Sequence, residues 1–99
     1  MDCYVLVDDC IVECQLDEWR GPQRIDNTEV GEYLVSTVFL GIEHVGGMFE
    51  TMIFGGVLDS HMVRCDTAQE ARSIHNKIVE VLRSNKTIEQ LKRINFKEI

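Results

Sequence analysis

Apolar positions change period once along the chain. Through Cys65 the apolar runs are short, rich in β-branched and aromatic residues, and alternate with period two. Beyond Asp66 they recur at three- and four-residue spacing. This pattern predicts an α+β fold, a single domain over residues 1–99. Residues 1–65 form an antiparallel sheet of about five or six strands, and residues 66–99 form two C-terminal α-helices. The centre is Val35 to Gly56, two apolar runs joined by a short loop at Val45-Gly46-Gly47. Leu34, Ser36, Val38, Leu40 and Ile42 fall on one face of the first run, and Val35, Thr37, Phe39, Gly41 and Glu43 on the other. Both faces are largely apolar. A chain this short has one set of helices to offer, so the second face is expected to meet another subunit.

Upstream, Cys3–Val7 and Cys10–Cys14 flank Asp8-Asp9, a pair that tolerates tight-turn geometry, and predict a hairpin. Gln15 to Arg20 allows one helical turn capped by Asp17, with Trp19 lying on the sheet as an aromatic lid or stacking on a ligand. Arg24 to Val30 reads as a strand, Gly31-Glu32 as a turn, and Met62 to Cys65 as an edge strand. Thr67 with Glu70 is a capping box ahead of Ala68, Ala71, Ile74, His75, Ile78, Val81 and Leu82, and this helix is expected to end near Ser84-Asn85. Thr87 with Gln90 repeats the signal ahead of Ile88, Leu91, Ile94 and Phe96.

Net charge is −7, unevenly placed: residues 1–50 carry 11 acids and 2 bases, and residues 51–99 carry 6 acids and 8 bases. The acidic first half argues against a nucleic-acid polymer as partner, while the basic half leaves room for a small anion. No stretch approaches the roughly 20 apolar residues of a membrane span, and the first ten residues lack a cationic start and a cleavage site, so a cytoplasmic protein is expected. Cys3, Cys10, Cys14 and Cys65 show no zinc spacing and serve best as small buried hydrophobes; the hairpin sets Cys3 opposite Cys14, within reach of a bridge.

No residue pattern points to catalysis or a metal. Ser36, Ser60 and the cysteines lack a nucleophile-elbow turn, His44, His61 and His75 have no paired ligand spacing, and Glu43-His44 point to opposite faces of a strand. His75, at the edge of the apolar helix face, reads as a core histidine with one hydrogen bond. Glu50 shares a face with Met48, Met52 and Phe54, as a functional carboxylate or as a salt-bridge partner of Arg64 or Arg24.

VSTVFLGIEH, FETMIFGG, then Arg64 with Thr67, Glu70, Ala71, His75 and Val79, together with Trp19, Arg24 and Thr28, resemble a family of small phage-encoded proteins over residues 17–82. Members of that family usually have a longer loop than His44–Met48 and an aromatic residue at the position of Ala68. The order of elements is also similar to the first family of Thoeris anti-defence proteins. That resemblance implies an oligomeric sponge that binds a cyclic ADP-ribose-type signal without cleaving it and needs no cofactor. A ligand with two phosphates and a flat base needs cationic forks and an apolar plane. The resemblance therefore implies ligand-binding roles for Arg64, Arg72, Arg83, Phe49, Phe54 and Glu50, at a boundary between two copies. A phage inhibitor docking a host protein through the acidic half and a small virion assembly protein are the alternative classes.

Overall fold

A computed structural model of the chain describes residues 3–19, 21–42, 47–84 and 86–95. Six antiparallel strands come first: β1 (Cys3–Val7), β2 (Cys10–Cys14), β3 (Gln23–Val30), β4 (Tyr33–Phe39), β5 (Phe49–Phe54) and β6 (Met62–Cys65). Two helices follow, α1 (Ala68–Arg83) and the short α2 (Ile88–Lys92). The α+β expectation holds, with one refinement. The strands form two sheets, a β1-β2 hairpin and a four-stranded sheet in the order β3-β4-β5-β6. The Glu43-His44 pair, the Val45-Gly46 part of the loop, Asn85 and Phe96 lie outside the described residues.

The central sheet shows why period two matters. Along β4, Tyr33, Val35, Thr37 and Phe39 are buried and their neighbours Leu34, Ser36 and Val38 are not; along β5, Phe49, Thr51 and Ile53 are buried while Glu50, Met52 and Phe54 are not. The inner face carries α1, whose buried positions Ala68, Ala71, His75, Ile78 and Val79 recur at helical spacing. One core cluster gathers Val35, Ile53, Leu58, Val63, Ile78, Val79 and Leu91, and the second gathers Phe39, Phe49, Cys65, Ala68 and Ala71 with Tyr4 and Leu6 of the hairpin packed against it. The Phe39 and Phe49 rings meet at 5.1 Å between centroids, tilted by 51°.

Local signals set the helix boundaries. Thr67 Oγ1 accepts from the Glu70 amide at 3.1 Å, and Thr87 and Gln90 form a reciprocal capping box. The turn between β1 and β2 places Asp8 and Asp9 at φ 49° and 64°, a left-handed pair that Asp tolerates. The helical turn Leu16–Glu18 is capped by Gln15, whose amide donates to Glu18, and not by Asp17, which lies inside it. Ile88 is exposed, because α2 is short and meets the core through Leu91 and the following Ile94.

The hairpin meets the main sheet at Gly41 and Ile42, where Cys3 and Ile42 form a bridge. At Gly41 the chain adopts φ +78°, an added Cβ would run into the Trp19 indole and the Tyr4 carbonyl, and the Tyr4 amide donates to the Gly41 carbonyl at 2.7 Å. Trp19 thus packs at the joint between the two sheets, and its Nε1 has no hydrogen-bond partner among the described residues. The hairpin is further tied down by Leu6 N donating to Gln23 Oε1 at 2.9 Å and by Arg72 gripping Asp9 with two guanidinium nitrogens. Gly41→Ala should lower unfolding stability by on the order of 1–3 kcal/mol, from the strained φ and the blocked indole seat. Urea unfolding followed by Trp19 fluorescence measures this; an unchanged midpoint would rule out the joint described.

Candidate functional site

The outer face of the four-stranded sheet is the candidate site. Cross-strand register arranges its side chains in three rows. Arg24, Val38, Glu50 and Arg64 form one; Asn27, Ser36, Met52 and Met62 the next; Glu29, Leu34 and Phe54 the third. Leu34, Val38, Met52, Phe54 and Met62 belong to neither core cluster, and Phe54 and Met62 are 42% and 37% exposed. Single exposed apolar residues are ordinary; five sharing one face form a patch.

Two of the three rows end in charge. Arg64 donates from Nε and Nη2 to one Glu50 oxygen at 3.2 and 3.1 Å, with side chains 28% and 17% exposed. The ion-pair reading of Glu50 therefore holds, with Arg64 as the partner. Arg24, across the sheet on β3, is exposed and has no ion-pair partner among the described residues. A bulge between Arg24 and Asp26 lets Arg24 share the outer face while Asp26 faces inward.

The six residues expected to bind ligand do not converge. Glu50, Phe54 and Arg64 share the open face. Phe49 is fully buried on the inner one, five residues from Phe54 and so of opposite parity, and cannot offer a plane to a ligand. Arg72 and Arg83 lie on α1, on the covered side of the sheet. Asp9 occupies Arg72 at 2.8 Å, and that guanidinium holds the Asp9 carboxyl below its ordinary value. A pocket combining these helix arginines with the β5 face of one chain is excluded by the sheet between them.

Beneath the same strands lies a polar chain that the sequence only partly announces. His75 is 1% exposed and makes two hydrogen bonds where one was expected: Nδ1 to Thr37 Oγ1 at 2.7 Å and Nε2 to Thr28 Oγ1 at 2.9 Å. Thr37 in turn meets Thr51 Oγ1 at 2.7 Å. An Asp26 oxygen stands 3.6 Å from Nε2. That carboxylate favours the tautomer with its proton on Nε2, so Thr37 donates to Nδ1 and accepts from Thr51. Asp, His and Thr together suggest a nucleophile triad, but Thr37 and Thr51 are closed to solvent and no substrate carbon can reach them. The chain of bonds holds α1 against β3, β4 and β5.

The remaining reactive groups are similarly quiet. Cys3 and Cys14 oppose each other with Sγ atoms 3.4 Å apart as free thiols, and burial followed by the Cys3 hydrogen bond pushes Cys14 up to about 11. Burial raises Cys65 to about 11 as well, so neither is a thiolate near neutrality. Cys3 and Cys65 are buried as expected, whereas Cys10 on β2 is exposed. Among the described residues, a shallow depression along α1 is lined by Gln69, Glu70, Ser73, Ile74 and Lys77 of that helix. No group of three potential ligands able to hold a metal occurs among the described residues, and no described helix is long and apolar enough to cross a membrane.

Burial, opposed by the Asp26 charge, lowers the His75 pKa below its ordinary 6.5. Below pH 6.5 the unfolded chain therefore binds more protons than the folded one. Stability present above that pH is lost as pH falls, at up to about 1.4 kcal/mol per pH unit from this group. Urea titrations between pH 7.5 and 5 should show this slope in the native chain and lack it in His75→Asn; equal slopes would remove His75 as the cause. No protein family, curated protein or solved structure matches this chain.

Proposed function

We propose that this chain is a binding protein that sequesters a small cyclic nucleotide of the cyclic ADP-ribose type on the outer face of its sheet and releases it unaltered. One observation carries the reading: the fold brings Glu50, Arg64 and Phe54 onto a single open face. Arg64 supplies the cation for a phosphate, and Glu50 and Ser36 offer acceptors and a hydroxyl that fix orientation. Phe54 of a second copy supplies the apolar plane for a base. Of the six residues that the family resemblance implicates, the other three lie off this face: Phe49 in the core, and Arg72 and Arg83 on α1.

Distance then bears on how the ligand is closed in. Glu50 and Phe54 are four residues apart on one strand, about 13 Å by strand rise, too far for one compact cyclic nucleotide to touch both within a single chain. A second copy closing over the face brings an aromatic ring to the ion pair, in keeping with a sponge built as an oligomer.

Calorimetry with cyclic ADP-ribose isomers tests the reading. The native chain should bind at least one isomer and return it intact after heat denaturation. Arg64→Ala should weaken binding about ten- to hundredfold, the worth of a charge-assisted contact of roughly 1.5–3 kcal/mol, while Arg83→Ala should leave it unchanged. A native chain that binds none of the isomers, or steadily converts one, ends the proposal.

A further inference from the structure

We infer that a second copy of this chain packs face to face on the outer surface of the four-stranded sheet, about a two-fold axis that runs across the strands along the row Asn27, Ser36, Met52 and Met62. The inference deepens the proposed function by naming the closing partner, and only its last consequence depends on a ligand.

The choice of axis follows from charge. A face-to-face dimer of aligned sheets has its two-fold axis in the interface, close to along the strands or close to across them. An axis along the strands lays β3 of one copy over β6 of the other within each row. Arg24 then meets Arg64 of the second copy, whose charge is already matched by its own Glu50, so Arg24 gains no acid and Glu29 no base. An axis across the strands lays each strand antiparallel on its own counterpart and exchanges the two outer rows. Arg24 then faces Glu29 of the second copy, and Glu29 faces its Arg24, so two opposite-charge pairs form by symmetry. Val38 meets Leu34 in the same exchange, and Met52 meets Met52 on the axis. Both Arg24 and Glu29 are exposed and lack an ion-pair partner among the described residues. Sheets stacked this way sit about 10 Å apart at about 30°, a gap that long Arg and Glu side chains span.

Edge-to-edge association fits less well. β6 is four residues long, and β3 carries a bulge at Ile25 flanked by Arg24 and Asp26, features that discourage strand addition. The axis across the strands also sets Phe54 of one copy opposite Glu50 of the other, beside Arg64, which supplies the ring that the proposed ligand site lacks within one chain.

Light scattering of the ligand-free protein at about 10 µM tests the interface. The native chain should run at twice its 11.4 kDa mass. Arg24→Glu and Glu29→Arg should each raise the dimer dissociation constant at least tenfold, and the double exchange Arg24→Glu/Glu29→Arg should restore it to within about threefold. Met52→Lys, at the centre of the face, should give a folded monomer by circular dichroism, which an edge-to-edge dimer would not. A monomeric native chain, a double exchange that fails to restore, or a dimeric Met52→Lys overturns the inference. A native dimer with this pattern that binds no cyclic nucleotide upholds the interface and overturns only the ligand.

Discussion

The buried chain of hydrogen bonds through His75 fixes how the two layers meet. An amphipathic helix on an apolar sheet face is held by a non-directional force and tolerates sliding by a turn; directional bonds to a buried imidazole do not. Here one side chain, in the middle of α1, bonds Thr37 on β4 and Thr28 on β3, and Thr37 passes the chain on to Thr51 on β5. Slipping the helix by one turn would break both His75 hydrogen bonds, and a buried polar group left unpaired costs about 1–3 kcal/mol. The small residues Ala68 and Ala71 let the first turns of the helix sit close on Phe39 and Phe49, and Ile78 and Val79 complete the contact beyond.

With the inner face saturated, nothing remains among the described elements to cover the outer one. The hairpin is spent on the Phe39 and Phe49 end of the core, and α2 on Leu58. The β4 and β5 residues that face outward, Leu34, Val38, Met52 and Phe54, are therefore left to the solvent or to a partner. Two apolar faces are thus served by one layer of cover.

Much of this was legible in sequence because its causes are local. Alternation marks the buried set of β4, two Thr-x-x-Glu/Gln signals mark both helix starts, and Asp8-Asp9 marks the first turn. The rest depends on non-local contacts or on strand parity. The hairpin meets the end of β4 where Tyr4 N donates to the Gly41 carbonyl beside Trp19, and no window of sequence contains that contact. Parity alone separates Phe49 from Phe54. The polar core left a signal too: Thr37 shares the phase of Val35 and Phe39, and Thr51 that of Phe49 and Ile53. Threonines in phase with a buried set need an internal partner. What period and phase cannot give is which partner, because His75 lies 38 residues from Thr37.

The two faces are linked through the strands they share. Thr37 lies between Ser36 and Val38, and Thr51 between Glu50 and Met52, so the residues locked by hydrogen bonds on the inside alternate with those presented outside. A strand whose inward side chains are bonded and fully packed has few ways to move its outward ones. The backbone positions of the outer rows are consequently set by the sheet register. The sheet backbone, not a mobile loop, therefore sets the separation of Arg24, Glu50 and Arg64. A rigid, half-apolar face with charge at its ends suits a partner whose own charges are equally fixed, whether a cyclic molecule or another copy of the same sheet.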